Sequence, residues 1–194
     1  MLRRSASLPE KKYFKRILFT ELEVKRRMGE MAVEIARDYR GKEMVIVGIL
    51  KGSFMFFSDL VKLLYIHDIH PYIDFMILSS YGSSTTSSGK VKLDRDITTP
   101  LEGKWVLLVD DILDTGRTLS FAKFHLSRFN PMGVKTCVFL DKPSRRVVKI
   151  KADYRCFEIE DLFVVGYGLD WNNLFRDLPY VAVIDEKNLP PTNL

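Results

Sequence analysis

The sequence predicts an α/β fold, a mostly parallel central sheet flanked by helices, and three observations carry that prediction. Met44–Leu50, Trp105–Val109 and Thr136–Leu140 are short, largely apolar runs with many β-branched residues, the pattern of strands buried on both faces. Stretches of helical length and spacing lie between such runs. Gly, Pro and Asn punctuate the junctions, giving the strand–helix–strand alternation that favours parallel pairing.

Taken in order, the first helix starts after Phe19. Thr20 followed by Glu23 is a capping box, and Phe19 and Val24 stand at hydrophobic-staple positions. Met28, Met31, Ala32, Ile35, Ala36 and Tyr39 form its apolar face, and Arg40-Gly41 stops it. Met44–Leu50 is the first buried strand. Lys51-Gly52-Ser53 turns the chain into a second helix, FMFFSDLVKLLY, and Tyr72–Leu78 is the next strand. Residues 79–100 form a serine-rich loop. At that length a loop in a compact domain is functional or mobile, and composition alone equally allows an idle hairpin tip. Trp105–Val109 is the third strong strand. A helix over about 118–129 follows, ended by Asn130-Pro131-Met132-Gly133. Thr136–Leu140 comes next, then the basic run KPSRR, and finally DLFVVGYGLDW and YVAVI, whose punctuation suits short strands and loops.

With 194 residues the chain fits one domain at about 100–200 residues each. No apolar run approaches the ~20 residues that cross a bilayer, so no membrane association is expected. The net charge of +5 is mild enough to suit a polyanionic small substrate, and nucleic acid is not required to explain it. Cys137 and Cys156 belong to no CxxC pair, which reads as two reduced packing residues of a cytoplasmic protein. Residues 1–16 are basic and carry two serines, but lack the apolar core of a secretory signal. They are taken as a solvated extension ahead of a single domain over 17–194.

The chemistry concentrates in VLLVDDILDTGRTL, Val106–Leu119. In open α/β sheets ligands gather beyond the carboxyl ends of the strands, where the next helix presents free N–H groups and a positive dipole end. Thr115, Gly116, Arg117 and Thr118 sit at that place and suit a terminal phosphate. Asp110 and Asp111 would repel phosphate, so they fit sugar hydroxyls or a magnesium ion. Asp114 has a plainer reading as a helix cap. Ordinary capping needs one acid, however, and three stand here. No GxxxxGK[ST] or GxGxxG occurs, which removes Walker-type ATPases and Rossmann dehydrogenases.

An apolar strand, two acids and DTGRT resemble the phosphoribosyl pyrophosphate (PRPP) motif of the type I phosphoribosyltransferases. The chain further resembles the hypoxanthine-guanine branch through ILFT and its helix, VGILKGSFMFFSDL, FLDKPSRR, and DLFVVGYGLDWNNLFRDLPY, which together span most of Ile17–Ile184. The resemblance implies the type I phosphoribosyltransferase fold with a small hood and a flexible active-site loop. It also implies magnesium-dependent transfer of phosphoribosyl from PRPP to N9 of a 6-oxopurine, in a homodimer or homotetramer.

Residue by residue, the resemblance makes Asp114 the general base and places Asp110 and Asp111 on ribose and metal. Thr115, Gly116, Arg117 and Thr118 take the 5'-phosphate. Lys51, Gly52 and Arg176 take pyrophosphate, with a cis peptide before the lysine. Asp170 is a second metal position near the purine, and Ser80 and Tyr81 belong to the closing loop. Closure has a physical purpose, because water reaching the developing positive charge at ribose C1 would hydrolyse PRPP. Phe163 can stack on the base and the Val164 backbone can pair with its edge. Lys142 can donate to the exocyclic oxygen. Lysine has donors alone, so the amino group of adenine would be rejected by about 10⁴ or more. Outside this class stand a ligand-binding regulator that contacts nucleic acid, and a transferase acting on xanthine or another base. Retention of Asp114, Lys142, Phe163 and Asp170 together favours turnover on a 6-oxopurine.

Overall fold

Six strands form the central sheet in the order β4-β3-β2-β5-β6-β7, with every pair parallel except β3–β4. They are β2 (Met44–Leu50), β3 (Tyr72–Ser80), β4 (Val91–Arg95), β5 (Trp105–Leu113), β6 (Gly133–Asp141) and β7 (Tyr154–Glu158). A second, three-stranded sheet pairs β1 (Phe14–Phe19), β9 (Val181–Ile184) and β8 (Val164–Val165). The computed structural model describes residues 12–80 and 91–189.

The chain runs from β2 outward to β3, then returns past β2 to β5 and continues outward to β6 and β7 on the other side. Crossovers of one hand that move in opposite directions place their helices on opposite faces. Helix α2 (Phe54–Ile66) accordingly packs with α1 (Glu21–Tyr39) on one face, and α3 (Arg117–Ser127) covers the other. Strand alternation supplies both cores. Ile46, Leu107 and Val109 meet α1 and α2, whereas Val45, Val47, Val106 and Leu108 meet Leu119, Ala122 and Leu126 of α3. Fully buried Leu60 and Leu64 anchor α2, and truncating such a leucine costs about 2–5 kcal/mol. The order reverses between β2 and β5, so their carboxyl ends open the crevice where ligands bind in this architecture.

Thr20 caps α1 as expected: its Oγ1 accepts from Glu23 N, and Glu23 reaches back to Thr20 N at 2.8 Å. Several sequence expectations change. Strand β5 does not stop at Val109 but carries Asp110 and Asp111 inside its ladder. The predicted loop 79–100 is partly strand, because Val91 and Leu93 alternate with polar neighbours and β4 zips antiparallel onto the end of β3. Beyond it, Asp74 accepts from the N–H groups of Thr98 and Thr99, and His125 of α3 bonds Asp96 at 2.8 Å. The extension ends earlier than residue 16. Phe14 and Arg16 already pair with Ile184 and Val183, and Phe14 packs on Phe175 in a small core with Val165, Leu178 and Ala182. Strand β7, for which the sequence offered no assignment, buries Tyr154 and Cys156 alternately and pairs along β6. Both cysteines are buried and free.

Candidate active site

Two clefts adjoin at the carboxyl end of the sheet. The first, about 300 Å³, is lined by Ile49, Leu50 and Gly52 from the end of β2, and by Asp110 to Gly116, Thr118 and Leu119 from β5 and its loop. The second, about 220 Å³, lies under the three-stranded sheet among Lys142, Phe163, Val164, Leu169 and Asp170. Asp111 and Ile112 line both.

The first cleft is built to receive an anion. Gly116, at φ +86°, ends the turn that starts α3, so the cap position carries no side chain. Thr115 Oγ1 accepts from Arg117 N at 3.5 Å, no side chain caps the cap position itself, and Gly116, Thr118 and Leu119 at this helix start line the cleft. Asp114 therefore does not cap the helix. Its carboxylate instead meets Arg145 Nε at 3.3 Å, and Arg145 also pairs with Asp161 at 3.5 Å.

The acids of β5 sit in a crowded place, Asp110 buried and Asp111 partly exposed to the cleft. Asp110 is 6% exposed and its Oδ1 accepts from Asp111 N at 3.0 Å. Burial, with the neighbouring Asp111 charge added, pushes the Asp110 carboxyl well above the usual range. Burial raises Asp111 as well, while the Arg176 charge pulls the other way. Gly52 is packed so tightly that a Cβ there would lie 1.5 Å from Asp111 Oδ2. Behind it, a Cβ on Gly168 (φ +99°) would lie 2.0 Å from the Gly52 carbonyl oxygen. The backbone of the two segments is thus in direct contact. The Leu50–Lys51 peptide that enters this turn is cis.

In the second cleft Lys142 is 8% exposed, with Nζ 3.9 Å from Asp161, and its N–H donates to Leu113 O. Phe163, at 43% exposed, keeps a ring face open and meets Trp171 edge-on at 5.4 Å. Arg176 donates to Gly168 O at 2.6 Å and pairs with Asp170 at 2.7 Å; the other Asp170 oxygen accepts from Asn173 N.

A family model, the phosphoribosyl transferase domain, matches residues 17–172. The chain belongs to the phosphoribosyltransferase family. It is 46% identical over 172 residues to the hypoxanthine-guanine phosphoribosyltransferase of Aquifex aeolicus, covering 88% of this chain and 95% of that one. The enzyme of the same name from Streptococcus thermophilus is 40% identical over 176 residues, covering 91% and 96%. A crystal structure of a hypoxanthine phosphoribosyltransferase from Staphylococcus aureus superposes with a TM-score of 0.85 at 41% identity, covering 92% of this chain and 95% of that chain. The fold is that of the type I phosphoribosyltransferases, and the three-stranded sheet is its hood.

Within this phosphoribosyltransferase the sequence-predicted residues gather unevenly. Gly52, Asp110, Asp111, Asp114, Thr115, Gly116 and Thr118 share the first cleft, and Lys142, Phe163, Val164 and Asp170 share the second. Arg176 joins them through Asp170. Lys51 and Arg117 are exposed beside the first cleft and not among its lining. Ser80 ends β3, and Tyr81 lies outside the described residues.

Sequence reasoning missed a part-buried clamp on the loop that follows β5. Arg146 donates to the carbonyls of Leu113 and Asp114 and to Asp141, which is 4% exposed and also accepts from Arg155 at 3.2 Å. The available signal was an acid closing the apolar run of β6, as Asp110 does in β5. Among the described residues, no three or more His, Cys, Asp or Glu side chains converge as a metal site, and no helix is long and apolar enough to cross a membrane.

Proposed function

We propose that this phosphoribosyltransferase serves purine salvage, moving the 5-phosphoribosyl group of PRPP to N9 of hypoxanthine or guanine. The products are IMP or GMP and pyrophosphate. The observation that carries the reading is the meeting of an anion cradle and a ring-sized cleft at Asp111 and Ile112, where donor and acceptor would touch.

In the reaction the bond from ribose C1 to the pyrophosphate oxygen breaks as N9 forms its bond to C1, and the N9 proton leaves the purine. Asp114 accepts the purine proton, being a carboxylate of the first cleft with an arginine to steady it. Thr115 to Thr118 and the first-turn amides of α3 hold the 5'-phosphate, and Asp110 and Asp111 hold the ribose hydroxyls. Lys51, Gly52 and Arg176 take the leaving pyrophosphate. Lys142 donates to the exocyclic oxygen, Phe163 stacks on the ring and the Val164 backbone meets its edge.

A divalent cation, magnesium in this reading, suits Asp110 and Asp111, whose adjacent carboxyls are destabilised as anions and would be relieved by an oxygen-seeking dication. Asp170 is a second candidate ligand. Bound there, the cation would neutralise phosphate charge and orient PRPP. The assembly is a homodimer or homotetramer of a cytoplasmic protein with no nucleic-acid partner. Purified protein mixed with PRPP, magnesium and single bases tests the activity: pyrophosphate release with hypoxanthine or guanine is expected, and no release with either overturns the reading.

A further inference from the structure

Behind the donor loop, on the far side of the Arg146 clamp, a separate hollow of about 470 Å³ opens between the segment following β6 and strand β7. Its size falls within the roughly 300–1,000 Å³ of small-molecule sites. Ile150 and Ala152 give it an apolar wall, and Arg146, Lys149, Lys151 and Arg155 line it with positive charge. Against those four cations the lining holds one carboxylate. That one, Asp141, is already engaged by Arg146 and Arg155. Arg155 is further tied to Glu158 at 2.9 Å. Lys149 and Lys151 have no hydrogen-bond or ionic partner among the described residues, and both are exposed. Two uncommitted ammonium groups beside an aliphatic wall match a molecule with a flat ring at one end and phosphate at the other.

The hollow shares a wall with the donor loop. A methyl group on Gly116 would lie 2.7 Å from Ile150 Cγ2 and 3.1 Å from Arg146 Cδ. The N–H groups of Val147 and Val148 donate to Thr115 O at 3.0 and 3.1 Å. Arg146 holds the carbonyls of the two peptide groups that flank Asp114. A ligand that pulls on Arg146 or displaces Ile150 therefore acts on the residues that receive the 5'-phosphate.

We propose that this hollow is a second, regulatory site for a nucleoside polyphosphate, with the ring on Ile150 and Ala152 and the phosphates on Lys149 and Lys151. Occupancy changes the affinity of the donor loop for PRPP, a consequence that rests on the function proposed above, whereas binding itself does not. ATP is a suitable probe because its 6-amino group is rejected by Lys142. Equilibrium dialysis of the full chain in saturating GMP should show one further equivalent of ATP per chain. The double variant Lys149→Ala, Lys151→Ala should weaken that binding by at least about tenfold while leaving turnover without ATP unchanged. No ATP bound under saturating GMP, or equal binding by the variant, overturns the site. Inorganic tripolyphosphate binding as tightly as ATP overturns the nucleotide assignment. In steady state, ATP should shift the KM for PRPP at least about twofold in the unmodified protein alone, and binding without that shift overturns the coupling. Failure of turnover on every purine base would sink the proposed function and leave the dialysis result standing.

Discussion

Replacing Gly52 by Ala tests whether the turn after β2 is wedged against the acids of β5. The new methyl would lie 1.5 Å from Asp111 Oδ2 and 2.5 Å from its Cγ, where ordinary contact starts at 3.4 Å. Relief requires a displacement close to 2 Å. The turn has little freedom to retreat, because Gly168 is packed on the Gly52 carbonyl so closely that a Cβ added to Gly168 would lie 2.0 Å from that oxygen. Asp111 must therefore swing out of the shared corner of the two clefts. Overpacking of this kind costs about 1–3 kcal/mol, which at about 2–4 °C per kcal/mol for a chain of this length lowers Tm by about 2–12 °C. Activity should suffer more, since a misplacement of about 1 Å costs on the order of 100-fold in rate. Pyrophosphate release measured against PRPP concentration, with thermal unfolding followed by circular dichroism, reads both quantities. A variant with kcat/KM within about threefold of the unmodified protein would refute the wedge and the placement of Asp111 at the reacting centre.

Asp114→Asn should lower kcat more than about tenfold with modest change in the KM for PRPP, and unchanged turnover removes Asp114 from proton transfer. Lys142→Gln supplies both a donor and an acceptor, so the preference for hypoxanthine over adenine, read from kcat/KM, should fall by at least about 10²; an unaltered ratio would clear Lys142 of that role. Chelation of divalent cations should abolish turnover and magnesium should restore it, whereas activity persisting in excess chelator would exclude the metal. The Lys135 ammonium, with the Tyr154 hydroxyl, holds Asp38 down at about 2. Its stabilising contribution is thus full above the ordinary carboxylate range near 4 and is lost as pH falls through about 2. Asp38→Asn should destabilise the protein in urea melts at neutral pH, with the gap closing near pH 2, and a gap independent of pH would contradict the pairing.

What could be read in the sequence was whatever depends on near neighbours. Met44–Leu50 and Trp105–Val109 announce buried strands by composition, and the acids with Thr-Gly-Arg-Thr announce an anion site by their order. The hood was less legible because its strands are short: β8 has two residues, and β1 mixes Lys15 and Arg16 with its apolar side chains, which suggested a solvated tail. Strand β4 was hidden in a polar segment and owes its existence to pairing with β3. The grip of Arg146 on the carbonyls of Leu113 and Asp114 and the contact of Gly168 with Gly52 join residues made neighbours by the fold alone. In the sequence Arg146 was one more charge in a basic run.

Among the lining residues the two clefts share only Asp111 and Ile112, so they are built from largely separate pieces of chain. The first cleft is one continuous stretch of chain from the end of β5 into α3, closed by the end of β2 and Gly52. The rest of the second cleft is assembled from three separate pieces, around Lys142, Phe163-Val164 and Leu169-Asp170. Under the proposed function, substitutions at these positions would alter which base is taken, whereas the loop that would hold the sugar phosphate is a single piece of chain and would change as a unit.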